Sequence, residues 1–115
     1  MSQPTIWHNT RCSKSRQTLQ LLQDNGFEPV IVDYVSAAPS KSEIINVLKL
    51  LNIDAAQLMR TGDVRFKEAG LSKTDPTEAL IDAMVAQPIL IERPVVLHNG
   101  KASIGRPPES VLDIL

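Results

Sequence analysis

The chain is poor in cysteine, in excess charge and in long apolar runs, and each shortage removes a class of protein. One cysteine, Cys12, among 115 residues allows no internal disulfide, so a reduced, cytoplasmic setting is the expectation. A formal net charge of −1 lacks the basic excess that nucleic acids and anionic membrane surfaces select. No apolar run approaches the ~20 residues that cross a bilayer, and the first residues lack the charged-then-apolar layout of a secretory signal. Internal repeats and low-complexity stretches are absent as well. What is present, 43% apolar and 22% charged residues, is the composition of a soluble globular protein, and residues 1–115 are the length of one domain.

The single cysteine lies in the most informative stretch, Ile6-Trp7-His8-Asn9-Thr10-Arg11-Cys12-Ser13-Lys14-Ser15-Arg16. An apolar strand ends there and a helical pattern through Leu19, Leu21 and Leu22 begins. A thiol at such a junction meets the unpaired amides and positive dipole end of the helix, which favour thiolate. Arg11, Lys14 and Arg16 add positive charge, and His8 stands four residues upstream. A lone cysteine is often a small buried hydrophobe, but this polar run argues against burial in an apolar core and for a partly exposed, acidic thiol.

Read in order, the pattern predicts a strand over 4–7, a helix over 13–25 stopped by Gly26, and a strand over 29–34 buried on both faces. Ser40-Lys41-Ser42-Glu43 is a capping box opening a helix that carries Ile44, Ile45, Val47, Leu48 and Leu51. Short helices are expected over 54–59 and 63–69. Asp75-Pro76-Thr77-Glu78 reads as cap, first-turn proline and acidic first turn of another helix. Pro94 to His98, Asn99-Gly100 and Lys101 to Ile104 form a hairpin signal, and 109–115 a last helix. The fold class is therefore α/β: a four-stranded mixed sheet flanked by helices, with a helical insertion between the β-α-β unit and the C-terminal hairpin.

Arg60, Arg93 and Arg106 each fall at an element boundary, and a fork of guanidinium donors recognises oxyanions. Together with a helix N-terminus they are candidates for binding a tetrahedral anion. His8 is a candidate to act on Cys12, Asn9 to hold the loop through side-chain hydrogen bonds, and His98, beside a turn, is expected to be exposed. Position 15 is Ser15, so the C-x-x-C pair of a dithiol enzyme is absent. Position 18 is Thr18, not the arginine that a cysteine-phosphatase loop requires. The spacing of Cys12 and the two histidines matches no structural zinc site.

The run from His8 to Arg16 resembles the signature of the glutaredoxin-coupled arsenate reductases of bacteria, the ArsC family. Leu58-Met59-Arg60, Pro88-Ile89-Leu90-Ile91, Arg93-Pro94-Val95-Val96 and Gly105-Arg106-Pro107-Pro108-Glu109 resemble its later motifs, in order and nearly end to end. The resemblance implies a thioredoxin-like fold with Pro94 as the cis-proline beside the cysteine. It implies Cys12 as nucleophile and Arg60, Arg93 and Arg106 as substrate-binding residues, with His8, Asn9, Ser15 and Pro94 as supporting candidates. Arsenate would be reduced to arsenite with glutathione as co-substrate and glutaredoxin resolving the adduct, in a monomer with no bound cofactor, metal, nucleic acid or membrane. This sequence carries Thr10 where the family usually has proline, and its end at Leu115 is like that of the short chromosomal members. Two other readings stand beside it: a monothiol oxidoreductase or glutathionylation target that does not turn over arsenate, and an Spx-like regulator that binds RNA polymerase.

Overall fold

In a computed structural model, residues 3–115 are described, and the chain divides into two compact units, one of residues up to Ala37 together with Arg93–Leu115, the other Ala38–Glu92. The first unit holds β1 (Thr5–His8), α1 (Ser13–Asp24), β2 (Val30–Asp33), β3 (Val95–His98), β4 (Lys101–Ile104) and a terminal 3-10 segment, Pro108–Ile114. Its sheet runs β2-β1-β3-β4, with β1 parallel to β2 and antiparallel to β3, and β3 antiparallel to β4. This is the four-stranded mixed sheet of a thioredoxin-like α/β fold.

The β-α-β start is dictated locally. α1 ends at Asp24 with Asn25 as its C-cap, and Gly26 takes the left-handed conformation (φ +86°) that side-chain-bearing residues avoid. Asn99 and Gly100 adopt φ of 51° and 74°, the pair of positive angles that a tight hairpin turn between twisted strands needs. Ile6, Leu22, Val96 and Val111 form the buried core, with Leu19, Leu21, Phe27, Ile114 and Leu115 packed against it. Sheet, α1 and the terminal segment thus share one apolar layer.

The second unit contains α2 (Lys41–Leu51), α3 (Ala55–Leu58), α4 (Val64–Glu68), α5 (Thr77–Ala86) and a 3-10 turn, Pro88–Leu90. The capping box at its start is complete: Ser40 Oγ accepts the Glu43 N–H at 3.1 Å and Glu43 Oε1 accepts the Ser40 N–H at 2.9 Å. α5 packs against α2, α3 and the 3-10 turn. Among the described residues no helix is long and apolar enough to cross a membrane.

Three expectations, for β2, Asp75 and His98, need correction. β2 is an edge strand, not one buried on both faces; Val30 and Ile31 are 55% and 51% exposed. Its β-branched run suits extended backbone wherever the strand sits, so apolar continuity alone did not report its place in the sheet. Asp75 does not cap α5: its carboxylate accepts the Ser72 N–H at 2.9 Å, closing the preceding turn, and Pro76 occupies the cap position. The expected final helix is present, as a 3-10 segment. His98 is buried, its Nδ1–H donating to the Ile114 carbonyl at 2.9 Å and its ring edge-on to Phe27 at 5.6 Å. The chain end folds back onto the hairpin, and nothing near Asn99-Gly100 in sequence announces that.

Candidate active site

The ends of β1 and β2 and the beginning of β3 fall at one end of the sheet, because Trp7 pairs with Val32 on one side and Val95 on the other. Ile104, the last residue of β4, pairs with Val95 at the same end. Register therefore gathers the cysteine loop, Arg93-Pro94 and Gly105-Arg106, segments far apart in sequence.

Local hydrogen bonds shape the loop. The Cys12 N–H donates to the Asn9 carbonyl at 3.0 Å, and the Arg11 N–H to Asn9 Oδ1 at 2.9 Å. Arg16 Nη1 reaches back to the Thr10 carbonyl at 2.7 Å. Ser15 Oγ, fully buried, accepts the Asn9 N–H at 3.0 Å and shares a 2.6 Å hydrogen bond with His8 Nδ1. His8 is thus engaged with Ser15. Burial lowers its pKa first, and Arg16 lowers it further against the opposing pull of Asp33, so the ring favours its neutral form.

Cys12 is itself the N-cap residue of α1, in extended conformation. It is 9% exposed, more covered than the polar flanks suggested. The cover is polar as well as apolar, because arginine side chains fold over the loop. Arg106 Nη2 lies 3.7 Å from Cys12 Sγ, and Arg106 Nε donates to the Arg93 carbonyl at 2.9 Å. Burial, the strongest single influence, pushes the thiol up; the Ser15 amide, the Arg93 side chain and the Lys14 amide together outweigh it and hold the thiol below its ordinary value. The amides act as dipoles aimed at an anion, since the sulfur makes no formal cap hydrogen bond. Burial pulls the Arg93 guanidinium down, and its interactions with the Cys12 sulfur and the Tyr34 hydroxyl outweigh that and raise it.

Pro94 follows a cis bond, as does Pro107. Gly105 was not singled out from sequence, and here space is what requires it: a Cβ would sit 2.5 Å from Thr18 Oγ1 and 2.8 Å from Pro94 Cγ. The Gly105 N–H donates to the Pro94 carbonyl at 2.9 Å, so the two proline-led turns are joined directly. Thr18, the residue that ruled out a phosphatase loop, is fully buried and donates to the Lys14 carbonyl at 2.8 Å. Arg60 belongs to the helical unit. It follows α3, its N–H donates to the Leu90 carbonyl at 2.7 Å, and its guanidinium faces Glu92 at 3.4 Å and Asp63 at 3.7 Å.

A depressed thiol beside two guanidinium groups is suited to attack an electrophile bearing anionic oxygens. Among the described residues no three His, Cys, Asp or Glu side chains cluster as a metal site would require. A model of the ArsC family matches residues 7–114. The chain belongs to the ArsC family. An arsenate reductase of Haemophilus influenzae is 46% identical over 96% of this chain and 97% of its own. YfgD of Escherichia coli K12, an uncharacterized protein, is 49% identical over 98% and 97%. A solved structure described as an arsenate reductase from Vibrio cholerae superposes with a TM-score of 0.95 at 41% identity, covering 98% of both chains. The expected family and the thioredoxin-like architecture are thereby borne out.

Proposed function

We propose that this ArsC-family protein reduces arsenate to arsenite through Cys12. The observation that carries the proposal is the position of the chain's one thiol, 3.7 Å from the Arg106 guanidinium and under the charge of Arg93. The names of its Haemophilus and Vibrio relatives supply the oxyanion.

The Cys12 thiolate attacks arsenic, forming an S–As bond as one arsenate oxygen leaves, protonated, as water. Arg93 and Arg106 take up the charge on the remaining oxygens; a well-placed donor of this kind is commonly worth ~10²–10³ in rate. With Ser15 in place of a second cysteine, the chain has no thiol of its own to resolve the adduct. A glutathione thiolate then attacks the Cys12 sulfur. The S–As electron pair passes to arsenic, releasing arsenite and leaving a Cys12–glutathione disulfide. Glutaredoxin reduces that disulfide and restores the thiol. His8, Asn9 and Ser15 hold the loop in which the attack occurs, Pro94 shapes the turn from which Arg93 extends, and Arg60 is a further candidate for binding the oxyanion.

The test is arsenate-dependent NADPH consumption coupled through glutathione, glutaredoxin and glutathione reductase. Wild-type protein should turn over and Cys12→Ser should not, while keeping its thermal transition. Turnover by Cys12→Ser, or none by a wild-type protein with a reactive thiol, would refute the proposal.

A further inference from the structure

Tyr34 is the chain's one tyrosine and follows β2 directly. It is fully buried, yet its hydroxyl makes no well-formed hydrogen bond. A buried hydroxyl left in that condition costs free energy, and such groups persist where the surroundings use them. Its position follows from the sheet. Trp7 pairs with Val32 and Val95, so Tyr34, which follows β2, and Arg93, which precedes β3, leave the sheet at the same end as Asn9. Tyr34 and Arg93 interact with each other there. Phenol and guanidinium are therefore neighbours at the end of the sheet where Cys12 lies.

Electrostatics agrees with that placement. Burial pushes the phenol up, against the pull of Arg93 and Asn9, so the hydroxyl stays neutral with its oxygen lone pairs available. Arg93 in turn interacts with both the Cys12 sulfur and Tyr34. One guanidinium thus interacts with both the thiol sulfur and the phenol oxygen.

We propose that Tyr34 is a positioning residue whose buried hydroxyl holds the Arg93 guanidinium against the Cys12 sulfur. The under-satisfied oxygen draws a guanidinium N–H, and swinging Arg93 away from the sulfur would leave that oxygen with still less. Tyr34 acts through Arg93 and not on substrate. The inference rests on Cys12 being the reactive group and is independent of which oxyanion is reduced.

Tyr34→Phe keeps the ring and removes the oxygen. The pH profile of Cys12 alkylation by iodoacetamide should move to a midpoint about half a unit higher, lowering the rate below the midpoint about threefold, with the thermal transition retained. In an Arg93→Ala background the same substitution should shift nothing further. A Tyr34→Phe profile that coincides with wild type, or an equal shift with and without Arg93, overturns the proposal. A second measurement needs no substitution at position 34: with a single tyrosine, 3-fluorotyrosine labels this site alone. Its fluorine resonance should move on Arg93→Ala and on ionisation of Cys12; a resonance indifferent to both also overturns it. Arsenate turnover measured on the same wild-type sample separates the outcomes, because alkylation reads the thiol whether or not arsenate is the substrate.

Discussion

Replacing Gly105 by alanine asks for space that the active-site end of the sheet does not have. The new methyl carbon would sit 2.5 Å from Thr18 Oγ1, 2.8 Å from Pro94 Cγ and 3.1 Å from Thr18 Cγ2. Carbon atoms attract best at about 3.5–4.0 Å, so a displacement of roughly 1 Å is required somewhere. Neither neighbour yields cheaply. Thr18 is fully buried and tied to the Lys14 carbonyl at 2.8 Å, and Pro94 is buried with a closed ring. The Gly105 backbone must move instead, stretching its 2.9 Å hydrogen bond to the Pro94 carbonyl. Overpacking of this kind costs about 1–3 kcal/mol, which for a domain of this size lowers the thermal midpoint by roughly 4–12 °C. The displaced residue is followed by Arg106, whose Nη2 is 3.7 Å from the Cys12 sulfur, so alkylation of Cys12 should slow as well. Thr18→Ala removes two of the three opposing atoms. In that background Gly105→Ala should therefore cost less, a non-additivity read from a double-mutant cycle of thermal melts. A Gly105→Ala protein that melts and alkylates like wild type would falsify the steric reasoning, and so would full additivity with Thr18→Ala.

Further expectations follow from the same structure. Because the folded Cys12 thiol lies below its ordinary value of 9.0, the unfolded chain binds more protons between the two values; stability should rise with pH across that window, be fully gained above 9.0, and lose the rise in Cys12→Ser. Denaturant midpoints measured across alkaline pH check this, and identical slopes in both proteins would contradict it. Arg93→Lys and Arg106→Lys should each slow arsenate turnover, about tenfold or more, because a point charge cannot replace a planar fork; Arg60→Lys tests the third candidate in the same assay, and wild-type rates in all three would remove the anion-binding reading. Ser40→Ala breaks a capping box closed by hydrogen bonds of 3.1 and 2.9 Å and should cost about 1 kcal/mol in chemical denaturation, without altering Cys12 alkylation.

Chemistry confined to neighbouring residues was legible in the sequence. The capping box at Ser40, the Asn99-Gly100 turn and the stop at Gly26 each depend on conformations that one or two residues impose, and each stands where the residues put it. The cysteine loop could be read in the same way, since helix amides and adjacent charges act on Cys12 from within a few positions. The alternation of apolar runs conveyed strands and helices but not their places in the sheet. Val30 and Ile31 look like core residues in sequence and lie on an exposed edge, whereas His98 looks like a turn residue and is buried by the returning chain end.

The sequence by itself determined the parts: one thiol at a helix start, arginines at element boundaries, and the order strand-helix-strand, helices, hairpin. Tertiary structure alone decided which parts meet. Pairing of Trp7 with both Val32 and Val95 brings Tyr34 and Arg93 to the end of the sheet where Asn9 lies, and the close approach of Gly105 to Thr18 and Pro94 leads into Arg106 beside the sulfur. Strand register and close packing are non-local: their free energy comes from contacts between residues far apart in the chain, so no local window contains the information that brings Tyr34 and Gly105 to the cysteine end of the sheet.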